Sequence, residues 1–338
     1  MKQTKFISWV TLIALLLVGV GFTFHVEAAV SDTITKKFTV KTGGTLYLES
    51  DRGEIQVKTH DENTVEVKVY REAKTSSESN AQKIFDEFPI TIEQDGNDVI
   101  IDGEKGDSGF NLFGGNDRLR IRYVVTVPFQ YNASLETAGG SITVDDLDGE
   151  VDAGTAGGSL RFGHISGSVE GATAGGSIVL KGCGEDVDLK TAGGSIEIGN
   201  VEGDVEARTS GGSIRVGDVA GTVDVRTSGG SITIKGMSGS VEARTSGGSI
   251  QANITSQLES DSQLKTSAGN VTVYIPENIE LNIKARTSGG QVHTDLPITV
   301  KGDLSKSRLE GTLNGGGPTL EMETSGGSVI IKKGREIL

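Results

Sequence analysis

The sequence predicts an all-β protein, a parallel β-solenoid built from short rungs of constant length, and three observations predict it. The phrase Thr-Ala/Ser-Gly-Gly-Ser-Ile/Leu starts at Thr137 and returns at Thr155, Thr173, Thr191, Thr209, Thr227 and Thr245, always at the same 18-residue step. Within each unit apolar residues recur two apart, the period of a strand with alternate side chains turned inward. A unit of this length has no room for a crossover helix, so each must be one rung of a stacked array.

Aligning the units 137–154 through 227–244 justifies each element. Position six reads Ile142, Leu160, Ile178, Ile196, Ile214, Ile232, and position eight reads Val144, Phe162, Leu180, Ile198, Val216, Ile234. These two define one strand. Position eleven reads Leu147, Ile165, Cys183, Val201, Val219, Met237. A second strand carries valine at position fifteen (Val151, Val169, Val187, Val205, Val223, Val241) and a small or apolar residue at seventeen. Gly-Gly at positions three and four, as in Gly193 and Gly194, makes the corner, and left-handed backbone angles are the expected reason for glycine. A second corner falls near position thirteen, at Gly149, Gly167, Gly203, Gly221 and Gly239, with Glu185 the exception. Like positions then stack about 4.8 Å apart. The hexapeptide left-handed helix is disfavoured, because it needs an aliphatic anchor every sixth residue. Handedness is otherwise open.

Three segments organise the chain. Residues 1–29 read as a signal peptide: Lys2 and Lys5 precede an apolar run from Phe6 to Phe24, and small residues at Val26 and Ala28 suit cleavage after Ala28 or Ala29. The run is also long enough for a retained membrane anchor. With cleavage, no membrane span is expected, and the location is extracytoplasmic: secreted, periplasmic or cell-surface. Residues 30–136 read as an irregular β region of early rungs. Ser50-Asp51-Arg52-Gly53-Glu54-Ile55 there looks like a worn copy of the corner phrase. Ser76–Phe88 is expected to form a short helix with Ala81, Ile84, Phe85 and Phe88 on one face, and Gly103–Asp117 a loop. Residues 137–338 are the repeat solenoid, with Gly311–Pro318 expected to close its far end and a last rung at Thr324–Lys332.

Charge excludes some partners. Formal net charge is −14, and loss of a segment carrying two lysines and one glutamate takes it to −15. Such a chain repels nucleic acid, so no nucleic-acid partner is expected. The sole cysteine, Cys183, at an inward position, reads as a core residue and rules out an intramolecular disulfide.

The candidate site is a charged ladder. Position sixteen is acidic throughout (Asp152, Glu170, Asp188, Glu206, Asp224, Glu242), and two positions on come Lys190, Arg208, Arg226 and Arg244. The plain reading is two ladders that neutralise each other. The functional reading is a lattice that meets an unknown surface ligand, whether glycan, protein or cationic peptide. No catalytic, cofactor or metal-binding residues are assigned. Gly-Gly-Ser-Ile is not followed by the lysine of a phosphate loop. The serine ladder has no patterned histidine to activate it. His60, His164 and His293 are scattered. A pectinase-like or polysaccharide-lyase enzyme is the catalytic alternative, by analogy of fold alone. The only tryptophan is Trp9, and the array's aromatics are Phe162 and Tyr274.

The array, with Phe38-Thr-Val-Lys-Thr-Gly-Gly-Thr-Leu before it and Arg120-Ile-Arg-Tyr-Val-Val-Thr-Val-Pro128 leading into the first repeat, resembles the bacterial "putative adhesin" family of secreted β-strand-repeat domains of unknown function. The resemblance spans about residues 34–334. It implies an extracytoplasmic, non-enzymatic β-solenoid acting in surface binding, with envelope-stress or antimicrobial-peptide sensing as the second expectation. It carries over no functional residues.

Overall fold

The computed structural model describes residues 29–103, 118–300 and 305–334. All but the last residue of the expected signal peptide 1–29, and all but the first of the expected loop Gly103–Asp117, lie outside these residues. Each rung gives one strand to each of two stacked sheets, of 14 and 15 strands. Two faces per turn, rather than three, follow from two apolar clusters per repeat. Pairing is parallel, and each residue lies beside its counterparts one repeat away: Ile196 beside Ile214 and Ile178, and Val205 beside Val223 and Val187. The inward ladders are closed to solvent, with Ile214, Ile232, Val223 and Ala207 all at 0 % exposure. Between the sheets runs one apolar core from Val40 to Ile331.

The corner phrase has a complete structural account. Position one also points inward: Thr209 donates its hydroxyl to the carbonyl of Gly194 one rung back (2.8 Å) and accepts the N–H of Gly212 in its own corner (3.3 Å). The serine hydroxyl accepts the N–H of the next rung's serine, Ser195 from Ser213 and Ser213 from Ser231. Corner polar groups are thus satisfied rung to rung. The glycines require a correction. Neither glycine of any repeat corner has a positive φ; the described glycines that do are Gly43, Gly53, Gly96, Gly315, Gly316 and Gly334. Glycine is required by close approach instead. A Cβ on Gly194 would lie 2.1 Å from the Gly176 carbonyl oxygen, and one on Gly212 equally close to that of Gly194. At the other corner a Cβ on Gly221 would sit 2.6 Å from the carbonyl oxygen of Gly203.

Order in space departs from order in sequence at both ends. Thr45–Ser50 and Glu54–His60 form a rung in register with the first repeat, Ser50 against Thr137 and Ile55 against Ile142. The rung beneath it, however, comes from later in the chain: Asp98–Gly103 and Leu119–Pro128. At the far end Thr319–Thr324 and Val329–Lys333 insert between Ser262–Thr266/Val271–Ile275 and Leu281–Thr287/Val292–Thr294. The expected last rung is therefore the penultimate one. The far end is capped by Arg308–Leu313, antiparallel to Leu281–Thr287, with Thr299–Val300 antiparallel outside it; of the expected closing stretch Gly311–Pro318, Gly311–Leu313 belongs to this strand and the remainder makes the return turn.

The helix runs Glu78–Asp86, with the Ser77 hydroxyl accepting the Asn80 N–H as its cap and Ala81 and Phe85 buried. Ile84 is half-buried and Phe88 fully buried just beyond the helix. Among the described residues no helix is long and apolar enough to cross a membrane.

Candidate functional site

The 15-stranded sheet presents the expected charged ladder on its outer surface, because positions sixteen and eighteen alternate with the buried fifteen, seventeen and one. From the Val187–Thr191 strand onward the two ladders interlock. Lys190 reaches Asp188 (2.7 Å) and Glu206 (3.9 Å); Arg208 pairs with Glu206 and reaches Asp224 (3.5 Å). Arg226 lies 3.1 Å from Asp224 and also pairs with Glu242, which Arg244 meets in turn. Each cation bridges its own rung and the next, so the repulsion of stacked carboxylates is offset along the axis. The side chains are 28–48 % exposed, so each pair contributes at most about 1 kcal/mol. The run continues where sequence order did not show it. The displaced strand Thr319–Thr324 brings Glu321 and Glu323 against Arg286 (3.3 and 3.6 Å) and Lys265 (2.9 Å to Glu323).

The ladder is not uniform. Position eighteen is Gly154 and Ala172 in the first two complete rungs, and no described cation reaches Asp152 or Glu170. Where those side chains are missing, a groove of about 950 Å³ opens along the axis. It crosses seven adjacent rungs, from Glu49–Asp51 to Arg226–Ser228, a length of about 29 Å. Its lining includes Ala138, Ala156, Ala174, Ala192, Ser210 and the threonine ladder. Glu49, Asp51 and Glu136 stand at one end, and Lys190, Arg208 and Arg226 at the other. The position-eighteen column, Gly-Ala-Lys-Arg-Arg-Arg, held this signal in the sequence. The cations of that column were legible there, and the gap left by Gly154 and Ala172 was the part not drawn from it.

A second, smaller groove of about 400 Å³ follows the other edge of the same strands. It is lined by Glu170, Asp186, Asp188, Asp204, Glu206 and Asp224 among others. Asp186 and Asp204 are partly committed there, accepting the N–H groups of Asp204 (2.8 Å) and Thr222 (2.6 Å).

Cys183, His60 and His164 line neither groove. Cys183 is buried and donates to the Gly167 carbonyl (3.0 Å), and burial pushes its thiol pKa up, away from the reactive thiolate. His60 contacts the Thr64 carbonyl (2.7 Å), and His164 lies 3.5 Å from Asp146. Phe162 and Tyr274 are 2 % and 7 % exposed, so neither offers a ring for stacking a sugar. Among the described residues no cluster of histidine, cysteine and carboxylate groups could hold a metal ion.

No curated protein matches the chain. It is similar to a solved structure from Bacteroides fragilis described as a "putative adhesin", at 12 % identity and a TM-score of 0.34, covering 89 % of this chain and 97 % of that one. A "putative lipid binding protein" from Parabacteroides distasonis aligns at 13 % identity and a TM-score of 0.35, over 90 % and 97 %. A "putative cell adhesion protein" from Clostridium sporogenes aligns at 15 % and 0.20, over 90 % and 100 %. Likeness at this level says nothing about a ligand. The Toastrack DUF4097 family matches residues 44–332, and the chain belongs to that family.

Proposed function

We propose that this protein is a non-enzymatic binding module of the bacterial cell envelope, exported by residues 1–29, that holds an extended ligand along its solenoid axis. The axial groove carries this reading. Its lining repeats once per rung, so it suits a linear polymer, glycan or polypeptide, rather than a compact substrate. The alanine and threonine methyl groups of its lining contact the ligand body. Lys190, Arg208 and Arg226 receive anionic groups, and Glu136, about 14 Å away, receives a cationic one. The second reading, sensing of a cationic peptide, is favoured by the carboxylate-lined groove at the other edge.

The test is a binding panel of cell-wall glycans, matrix proteins and cationic peptides on the wild-type protein and on Ala172→Trp. Ala172 is exposed and has room for a side chain, so the variant should keep its melting temperature while blocking the axial groove. Loss of anionic or dipolar ligands in the variant supports the axial groove. Retention of every ligand with unchanged affinity rules it out, and retention of cationic peptides alone moves the function to the acidic groove.

A further inference from the structure

Among the described residues four strands end the two sheets, and they differ in length. Thr91–Asp95 has five residues and Val292–Thr294 three, and Thr299–Val300 runs to the limit of the described residues. The fourth, Val30–Thr39, has ten residues and, among the described residues, pairs on one side only, with Thr64–Ala73. None of its residues is buried, whereas Val65, Val67 and Val69 on its neighbour are at 0 % exposure. A long open edge is a template for another strand, and soluble proteins blunt such edges. Val292–Thr294 is blunted by its shortness, whereas Val30–Thr39 is not.

We propose that Val30–Thr39 pairs antiparallel with the same strand of a second copy, in the register that places Ile34 opposite Ile34. The sequence Val-Ser-Asp-Thr-Ile-Thr-Lys-Lys-Phe reads as its own complement about that residue. Val30 meets Phe38 of the second copy, Asp32 meets Lys36, Ser31 meets Lys37 and Thr33 meets Thr35. Opposed residues fall on the same face of the joined sheet, so on the face of Ile34 apolar meets apolar and acid meets base, and on the other face polar meets polar. Centring the pairing on Thr33 instead sets Asp32 against Ile34 and Val30 against Lys36. Centring on Thr35 sets Asp32 against Phe38 and Ile34 against Lys36. Only the central register is matched. Lysines at 36 and 37 guard the edge against other strands, while this register gives Lys36 an acidic neighbour in the second copy. Asp32 keeps its existing partner Arg71, and Lys36 its bond to the Ile92 carbonyl (2.7 Å). The joined strands would make one continuous sheet across two solenoids.

The test is disulfide trapping in the purified full-length protein carrying Cys183→Ala. Directly opposed residues have Cα atoms about 4.5–5.5 Å apart, within reach of a disulfide, whereas diagonal neighbours about 7–8 Å apart are beyond it. Ile34→Cys should therefore cross-link with itself. Thr33→Cys and Thr35→Cys should not do so alone, yet should cross-link when mixed. As an independent arm, Asp32→Lys should weaken the dimer on the order of ten-fold in sedimentation equilibrium, and adding Lys36→Asp should restore it. If Asp32→Lys fails to fold by circular dichroism, the trapping arm decides. A protein monomeric at every concentration overturns the proposal, and so does self-cross-linking of Thr33→Cys as efficient as that of Ile34→Cys. A specific trap at Ile34 also excludes association through residues 1–29.

Discussion

Glycine at the repeat corner shows what single residues decide here. The second glycine of each pair packs its α-carbon under a carbonyl of the neighbouring rung, leaving no space for a methyl group. The first glycine has more room: a Cβ on Gly211 would lie 3.1 Å from the Gly193 oxygen, against 2.1 Å for Gly212 and Gly194. Gly212→Ala should therefore destabilise by about 3 kcal/mol or more, and Gly211→Ala by about 1 kcal/mol or less, in urea unfolding. Equal effects would return the explanation to backbone angles. Inward and outward positions should separate just as clearly. Val205 is 2 % exposed and Glu206 is half-buried in a surface ion-pair run. Val205→Asp should remove more than about 4 kcal/mol, through an unpaired buried charge. Glu206→Gln should remove under about 1 kcal/mol. Similar melting temperatures for these two would mean the strand faces are reversed.

At the scale of elements the rung is the unit, and the sequence legibly marked it. Period two named the buried residues, and the 18-residue step named their neighbours in the array. Excising residues 209–226 joins Arg208 to Thr227 in phase, so the shortened chain should keep its circular dichroism spectrum and unfold cooperatively. Excising half a repeat breaks the phase and should abolish folding. What the period did not encode was neighbour order at the ends. Alternation says which side chains face inward, but a rung with one correct face can stack on any other. So the placement of Asp98–Gly103 and Leu119–Pro128 beneath Thr45–His60, and of Thr319–Lys333 inside the last rung, followed only from the structure. The corner glycines were misread for a related reason, since a positive φ and a close backbone approach both select glycine. Between rungs, aspartates at the second corner accept bonds, and pH should report on them. The His164 N–H donates to Asp146 (2.8 Å), and Ser166 and Gln130 bond to Asp148, holding both carboxyls below their usual range. A carboxyl depressed in the folded state contributes stability above its unfolded value, near about 4, and loses it as pH falls through the folded one. The melting temperature should be level from about pH 8 to 5 and fall below about 4. A rise on acidification would mean that relief of the net negative charge outweighs these bonds.

Across the whole molecule the charged column is graded rather than periodic, and that grading gives the groove a direction. Carboxylates gather toward the Glu49 end, small residues occupy the middle, and cations begin at Lys190. A ligand lying along it would make several weak contacts at rung spacing rather than one strong contact. Each of Lys190, Arg208 and Arg226 already shares its charge with carboxylates of two rungs, which lowers what any one can offer a ligand. Binding of an anionic or dipolar polymer should therefore decline stepwise as these three are changed to glutamine singly, in pairs and together. No single change should abolish it. The apparent affinity should rise with the length of the polymer up to the span of the groove, because each further contact is intramolecular once the first has formed. It should also fall steeply between low and physiological salt, where exposed charges are screened within about 8 Å. The measurement is a titration of the variant series against the best ligand of the panel at several salt concentrations. A single substitution that removes all binding, or an affinity indifferent to salt and length, would point to one discrete site and reopen the enzymatic alternative.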